Sequence, residues 1–431
     1  MEHSLDNQMP LKSRQTWLRE VPAGSSADPK VAFLLLVAFL ILLYSNVGVI
    51  YKQYLEALRP TFVIAVAALF MMVVENGQTR QSFKLTWPQG TLLLALLGVC
   101  VISTFSSIYV RVAADQTADF AKIVLVYVLI ENVVTTEFRL KTVMWTMALC
   151  GLFPAIGIIY HYKTGIFVEG TRAAWRGIFG NPNEAAYGIL VLIPIMLALA
   201  KSYRVSVKLV LWALIAVYLV AMFLTFSRGG FLTLFTVLGL AGWKHKSIFV
   251  KAGMVIALIA AIIVVSMFWK RNSGDFKNVE QDTSFRERLY TFQAGALMFM
   301  HNPLLGVGPG DSMVAYPLYA PIDAKTCGCH DQLHVHNSYI QALAELGALG
   351  FIPFISFITI TMYQARKMER GPLKDYATAL GLSMWVFLVF STSGGFVYTW
   401  WPYIFVALIV ALKRIASSAT AEMSLRGADA V

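Results

Sequence analysis

The feature that most constrains this chain is a succession of long apolar runs with only short polar breaks between them. Of its 431 residues, 58% are hydrophobic and only 14% are charged, whereas soluble domains carry about 25% charged residues. A helix needs roughly 20 mostly apolar residues to cross a bilayer. The runs therefore predict a membrane protein and exclude a soluble globular one. Membrane orientation and anionic headgroups explain the net charge of +11, so we do not expect nucleic acid as a partner.

The periodicity of these runs predicts an all-α polytopic membrane protein with about twelve transmembrane helices and one large helical periplasmic loop. The predicted spans are 31–50, 61–74, 91–110, 120–134, 142–160, 185–200, 207–225, 231–243, 248–269, 338–362, 376–393 and 398–412. The run 231–243 is short and follows Gly229 and Gly230, so it can be tilted, broken or joined to the preceding helix.

Lysine and arginine concentrate in alternate connections between these spans. By the positive-inside rule, these connections and the N-terminus face the cytoplasm. The prediction divides the chain into a cytoplasmic tail at 1–30, transmembrane helices 1 to 9 at 31–269, a periplasmic loop at 270–337, transmembrane helices 10 to 12 at 338–412 and a cytoplasmic tail at 413–431. Only the periplasmic loop is long enough to fold by itself, and we expect a helix from 284 to 301 within it.

The segment 326–351 places histidines and cysteines directly before an apolar run. Asn337 or Ser338 can cap the helix that begins there. His336 then lies at the boundary between water and lipid, where an imidazole can exchange a proton near neutral pH. A neighbouring set could bind zinc, but its cysteines are one residue apart, which does not match the usual ligand spacing. That set is Cys327, Cys329, His330, His334, Asp331 and Asp323, together with His336 itself. We therefore favour a catalytic His336 without a metal ion.

Arginines occupy three of the connections that are predicted to face outward. Arg228 lies near membrane depth, where a charge marks a functional site, although an arginine that binds interfacial lipid phosphate is the alternative. Arg286 and Arg288 precede a glycine-rich turn and can grip phosphate in a bidentate manner, or they can form a solvated face. Arg172 and Arg176 alternate with aromatic residues, a pattern that suits a sugar diphosphate or an interfacial helix.

Four motifs, taken together, resemble the O-antigen ligase superfamily. They are GNPNEAAYGILVLIPI at 180–195, SRGG at 227–230, RLYTFQAGALMFMHNPLLGVGPG at 288–310 and HVHNSYIQALAELGALGF at 334–351. The resemblance extends over about 180–412. It implies a glycosyltransferase of the bacterial inner (cytoplasmic) membrane that needs neither a metal ion nor a cofactor and has its active site at the periplasmic face. It also implies transfer of a glycan from undecaprenyl diphosphate to the lipid A core sugar, in lipopolysaccharide biosynthesis.

The resemblance also assigns roles to single residues. Arg228 and Arg288 match the arginines that grip the diphosphate, and His336 matches the histidine that begins the last catalytic helix. Substrate binding is predicted for four further residues, which are Arg286, Arg172, Arg176 and Asn337. Membrane lipids are expected as partners. The stretch CGCHDQLH at 327–334 has no counterpart in the family pattern.

Two other kinds of function remain open at this point. Relatives of the family polymerise O-antigen repeats or attach oligosaccharides to protein hydroxyls, and they differ from the ligase in the acceptor. A lipid or sugar transporter is less favoured, because transporters place ionisable residues near the middle of the membrane and show repeated halves. Here the charges collect at one outer face and no repeat is evident.

Overall fold

The structure is a computed structural model that describes residues 29–50, 59–80, 82–168, 170–243, 247–249, 252–253, 255–256, 283–322, 324 and 332–428. These residues form helices joined by turns, and no strand occurs among them. The tail 1–28, most of the ninth predicted span, and Cys327, Cys329 and His330 of the disfavoured zinc set lie outside the described residues.

Fifteen helices carry labels below. In chain order they are α1 Lys30–Ser45, α2 Pro60–Thr79, α3 Gln89–Phe105, α4 Val110–Val133, α5 Glu137–Cys150, α6 Leu152–Lys163, α7 Pro182–Leu190, α8 Ile193–Ser202, α9 Val205–Leu224, α10 Arg228–Trp243, α11 Thr283–His301, α12 Ser312–Tyr319, α13 Ser338–Met368, α14 Lys374–Phe390 and α15 Trp400–Ala428. Short helices also occur at Val47–Ile50 and Gly177–Phe179.

Six helical stretches of the described chain are long and apolar enough to cross a membrane. They are Pro60–Thr79, Glu137–Lys163, Pro182–Ser202, Val205–Leu224, Ser338–Met368 and Trp400–Ser418. Two of them are helix pairs, α5 with α6 and α7 with α8, because Pro154 and Pro194 near the start of the second helix of each pair interrupt the hydrogen-bond ladder. The polytopic helical class predicted from the sequence is therefore confirmed.

Some helices extend beyond the spans predicted for them. The fourth helix was expected to begin at residue 120, but α4 begins at Val110 and includes Arg111, Asp115 and Asp119. Such residues lower the local hydropathy without breaking a helix. The helix α15 continues beyond the predicted span 398–412 as far as Ala428, and the cytoplasmic location of residues 413–431 stays a prediction.

The connections that are rich in lysine and arginine lie together at one end of the helix bundle, where they contact one another. Lys201 bonds Asp375 at 2.8 Å, and the ammonium group of Lys141 lies 5.7 Å from the ring centroid of Tyr376. In the same region the guanidinium groups of two arginines donate to backbone carbonyls. These bonds run from Arg139 to Val133 and from Arg414 to Glu131. We call this region the basic end.

At the opposite end, α11 and α12 pack on the first part of α13 and form a small second core. It consists of Ala294, Met298, Val307, Ala315, Tyr316 and Ala344. Gly295 permits this packing, because a Cβ atom there would lie 2.5 Å from Ile340 of α13. The helix predicted at 284–301 is confirmed as α11.

The helix α13 is broken at Gly347, which has φ 59° and ψ −163°. In an uninterrupted helix, the amides of Ala348 and Leu349 would donate to the carbonyls of Ala344 and Glu345. The break separates these groups. Since unpaired backbone groups inside a membrane cost several kcal/mol each, they need other partners.

The segment 303–308 supplies all four partners. The bonds run from Val307 N to Ala344 O (2.8 Å), from Gly308 N to Glu345 O (3.1 Å), from Ala348 N to Pro303 O (2.8 Å) and from Leu349 N to Leu304 O (3.2 Å). The approach requires glycine on both sides. A Cβ atom at Gly306 would lie 2.3 Å from a backbone carbon of Glu345, and one at Gly347 would lie 2.3 Å from a backbone carbon of Leu304.

The side chain of Glu345 extends this connection. It is 1% exposed, and it accepts hydrogen bonds from the Gly310 amide at 3.0 Å and from the Ser312 hydroxyl. Gln341, one turn earlier, donates at 3.4 Å. A buried carboxylate is costly unless its oxygens are bonded, so Glu345 holds the turn 308–312 against α13.

We expect Gly347→Ala to destabilise the protein. The backbone at Gly347 has a positive φ that disfavours L-residues, and the added methyl group would overlap the Leu304 carbonyl. The thermal midpoint of the purified protein in detergent should fall by several degrees, corresponding to ~3 kcal/mol or more. Gly98→Ala is the control, because a Cβ atom added at Gly98 of α3 would meet no atom of the described chain within 4 Å. Equal midpoints for the two variants would contradict the proposed packing.

We also expect stability to depend on the ionisation of Asp311. Its side chain is fully buried, Oδ2 accepts from the Tyr109 amide at 2.8 Å, and Oδ1 has no hydrogen bond within the described chain. Burial raises the pKa of Asp311 from 3.8 to about 6. The folded state therefore favours the protonated form, and this stabilisation is lost as the pH rises from about 4 through 6.

The corresponding measurement is a melting curve at several pH values. Between pH 4 and 7 the free energy of unfolding of the wild type should fall by at most about 3 kcal/mol relative to that of Asp311→Asn. A pKa shift of about two units corresponds to that amount. Asp119→Asn, a change at an exposed carboxyl on α4, should keep the wild-type pH profile. If the stability of Asp311→Asn changed with pH in the same way as that of the wild type, Asp311 would not be the source of the pH dependence.

Candidate active site

The motif SRGG forms the start of α10. Ser227 is fully buried, and its hydroxyl oxygen accepts from the Gly230 amide at 3.1 Å, which makes it the helix N-cap. Arg228 is the first residue of the helix and is exposed. Gly229 faces the turn after α14, where a Cβ atom would lie 2.7 Å from the Ser393 hydroxyl. The motif therefore places a guanidinium group at a helix N-terminus, where the backbone itself favours anions.

Arg172 supports this turn from the neighbouring connection. The Arg172 side chain is 4% exposed, and it donates from Nε to Thr225 O at 3.1 Å and from Nη2 to Asn183 Oδ1 at 2.8 Å. The Ser227 hydroxyl donates to the same Asn183 oxygen. Phe226, between these residues, has a φ of 47°, which is rare for an aromatic residue. Arg172 therefore holds a strained turn, and its predicted role in substrate binding stays a prediction.

Arg176 lies in the same connection but is exposed. The guanidinium carbon of Arg176 lies 5.7 Å from the ring centroid of Trp175, within the range of a cation–π contact. Trp175 in turn packs against His161, whose Nδ1 lies 2.6 Å from Ala174 O. This arrangement presents a cation beside an aromatic face, and the predicted contact of Arg176 with substrate stays a prediction.

Arg288 and His336 line one pocket of about 290 Å³. It lies between the first half of α11 and the start of α13, and the other lining residues are Leu289, Thr291, Phe292, Val335, Asn337 and Thr392. The packing of α11 on α13 explains this proximity. Arg288 lies seven residues before Gly295, on the same helix face, and His336 lies four residues before Ile340, which contacts Gly295.

Arg286 does not line this pocket. Residues two apart on a helix point in different directions, so Arg286 and Arg288 cannot both face it. The Nε of Arg286 is buried and makes no hydrogen bond within the described part of the chain. The predicted role of Arg286 as a helper in binding stays a prediction.

Asn337 is the N-cap of α13, and the structure thereby decides between Asn337 and Ser338, the two candidates that the sequence offered. Its Oδ1 accepts from the amides of Tyr339 at 2.9 Å and Ile340 at 3.1 Å. The cap fixes where the helix begins, and therefore fixes the position of His336 directly before it. His334 is exposed and does not line the pocket.

The turn 391–395 links the two halves of the site, and sequence reasoning missed it. Its backbone carbonyls accept from the Ser338 amide at 2.8 Å and from the Asn337 side chain at 3.4 Å. On its other side, Ser393 contacts Gly229. Arg228 and His336 therefore flank the same turn. The only trace in the sequence is the run STSGG between two apolar spans, a composition that merely indicates a loop.

Glu345 and Asp311 were also missed. Glu345 lies within the motif at 334–351 and Asp311 directly follows the motif at 288–310, but neither stood out in the sequence, because a buried carboxylate can be recognised only by its partners. The geometry as a whole offers a cationic pocket with an adjacent imidazole. Such a pocket can bind an anion through Arg288 and can move a proton through His336.

Residues 213–355 match the family model described as O-antigen ligase. This range is shorter at both ends than the resemblance at 180–412. It nevertheless includes the sequence that carries Arg228, Arg288 and His336, as well as the break at Gly347 and the segment 303–308 that fills it. A comparison with curated proteins finds no match. The match over residues 213–355 therefore supports membership of this multi-pass membrane chain in the O-antigen ligase superfamily.

Proposed function

We propose that the protein is an O-antigen ligase, a metal-independent inverting glycosyltransferase that moves a glycan from undecaprenyl diphosphate to the lipid A core sugar. The observation that carries this proposal is the pocket in which Arg288 of α11 meets His336 at the start of α13. The two residues come from separate motifs, 48 positions apart. Their convergence combines an anion-binding group with a base, which are the two functions that this reaction requires.

Arginine serves the leaving group. Undecaprenyl diphosphate gains negative charge as the bond from the anomeric carbon to the phosphate oxygen breaks, and preorganised cations at that position lower the barrier. Arg288 contributes from the pocket wall. Arg228 contributes from the other side of the turn 391–395, where the N-terminus of α10 adds a favourable dipole.

His336 serves the acceptor. Its imidazole takes the proton from an acceptor hydroxyl while that oxygen forms the new bond to the anomeric carbon. The diphosphate leaves from the opposite face of the sugar ring, so the configuration inverts. The proton on His336 then passes to water, and the cycle needs no further reactant.

The depth of the site suits a donor whose tail stays in the bilayer. The helix α14 has Asp375 near the basic end and Phe390 beside the turn 391–395. These two residues are separated by about 22 Å at 1.5 Å per residue, compared with a hydrocarbon core of about 30 Å. With the basic end in the cytoplasm, the pocket lies near the periplasmic headgroups of the bacterial inner membrane, where a diphosphate would lie.

The remaining assigned residues have supporting roles in this proposal. Arg172 positions the turn that precedes Arg228, and Asn337 positions His336 by capping α13. Arg176, exposed beside Trp175, binds the glycan through the aromatic face and its own charge. Arg286 assists at the diphosphate from the adjacent side of α11.

A reconstituted transfer assay tests the proposal. Purified protein, undecaprenyl-diphosphate glycan and lipid A core would be incubated with a chelator, and the products separated on gels. Glycosylated lipid A core is the expected product. A lengthened donor would instead identify a polymerase, and a glycosylated protein acceptor an O-oligosaccharyltransferase. If none of these acceptors yielded a covalent product, the glycosyltransferase assignment would be wrong and transport would return as the alternative.

We expect His336→Ala to lower the transfer rate by about 10² to 10⁴-fold, the usual contribution of a general base. Protein level and thermal midpoint should stay near wild type, because the helix cap is made by Asn337. His334→Ala is the matched control, two residues upstream and outside the pocket. If both variants kept full activity, or if both lost it equally, the result would contradict a specific role of His336 as the base.

We expect Arg288→Gln to reduce kcat by about 10² to 10³-fold, as for removal of one donor that stabilises transition-state charge. Arg286→Gln removes the same charge from the same helix turn but from outside the pocket, and it should have a smaller effect, mainly on KM. Single-turnover rates at saturating donor would separate the two. Equal losses would indicate that net charge, not the position of Arg288, determines the rate.

A further inference from the structure

A second cavity, of about 190 Å³, lies at the basic end of the bundle, far from the pocket of His336. It is bounded by the last turn of α13, the turn that leads into α14, and the middle of α15. Two lysines, Lys367 and Lys413, line it together with apolar and small residues that include Leu373, Leu412, Gly371 and Ser417. The proposed reaction uses none of these groups.

The surroundings of this cavity are strongly cationic. Six basic residues occur in the three segments that bound it, against two acidic ones. The basic residues are Arg366, Lys367, Arg370, Lys374, Lys413 and Arg414, and the acidic ones are Glu369 and Asp375. Asp375 is already bonded to Lys201 at 2.8 Å. The excess positive charge favours an anionic occupant.

The cavity also lies where α15 leaves the bundle core. All residues from 401 to 412 on α15 are buried, 413–416 are half-buried, and Ser417 is exposed. Leu373 and Leu412 are 8% and 0% exposed, so one side of the cavity is apolar while the two lysine side chains supply the charge. A site that is apolar on one side and cationic on the other suits an amphiphile better than a free ion.

We propose that this cavity binds the phosphodiester headgroup of an anionic phospholipid. The ammonium groups of Lys367 and Lys413 contact the phosphate from α13 and α15, and the glycerol and the first acyl carbons pack near Leu373. Basic pockets between transmembrane helices on the cytoplasmic side bind such headgroups in other membrane proteins. The lipid would tie the inner ends of α13 and α15 together.

Lys367 could instead simply complement the negative C-terminal end of the α13 dipole. The two roles have different consequences. A dipole effect acts in any lipid or detergent, whereas a bound headgroup acts only when an anionic phospholipid is present. The control variant must therefore remove the same charge from the same helix end.

The experiment uses the full-length protein in mild detergent, titrated with dioleoyl phosphatidylglycerol or dioleoyl phosphatidylcholine and analysed by native mass spectrometry and thermal melting. The wild type should retain phosphatidylglycerol and melt higher with it, and should do neither with phosphatidylcholine. The double variant Lys367→Gln/Lys413→Gln should lose about ten-fold or more of the phosphatidylglycerol affinity. The control Arg366→Gln/Lys374→Gln, with the same loss of charge beside the cavity, should bind like wild type.

Three results would overturn the proposal. Equal losses in the two double variants would show a diffuse surface field instead of a site. Unchanged retention by Lys367→Gln/Lys413→Gln would place the lipid elsewhere. Equal stabilisation by millimolar inorganic phosphate without lipid would identify a free anion as the ligand. Because no glycan transfer is measured, these results are independent of the proposed enzymatic function.

Discussion

The exchange of backbone hydrogen bonds at the break in α13 is the interaction on which the site depends. Gly347 opens the helix, and the segment 303–308 inserts its own amides and carbonyls into the gap. In a membrane this exchange is strongly constrained, because a gap that was not filled would leave four backbone groups without partners. Glycines at 306 and 347 are what allow the two backbones to meet.

This exchange of hydrogen bonds fixes the position of α11 relative to α13. The segment 303–308 directly follows α11, so its attachment to α13 holds α11 in place and brings Arg288 to His336. Glu345 and its bonds to residues 310 and 312 reinforce the same junction. Ser103 of α3 donates to Leu305 O at 2.7 Å, which ties the inserted segment to the transmembrane bundle. Arg288 and His336, the proposed catalytic residues of this pocket, therefore lie in a layer that is joined to the membrane helices by these hydrogen bonds.

The second half of the site, around Arg228, is held by a helix cap and by buried side-chain hydrogen bonds. Ser227 caps α10, Arg172 and Asn183 hold the turn before it, and Gly229 packs on the turn 391–395. That turn also accepts hydrogen bonds from the start of α13. Two helix N-termini, each with a capping residue adjacent to a proposed catalytic residue, are thus oriented by one short loop between α14 and α15. The cost of holding Phe226 at a positive φ is offset by these buried hydrogen bonds.

The sequence by itself determined the membrane class, most of the helices, the helix predicted at 284–301 and a cap at Asn337 or Ser338, because hydropathy, periodicity and capping are local properties. It also carried the four motifs that resemble the O-antigen ligase superfamily. It misplaced the start of α4, where polar residues continue a helix. Only the tertiary structure decided that α13 is broken and that the segment 303–308 fills the break. It also decided that Arg288 and not Arg286 faces the pocket and that Arg172 is buried under a turn. Finally, it showed that the loop 391–395 joins the two halves of the site. Each of these depends on contacts between residues far apart in the chain, and no local pattern encodes which segment will meet which.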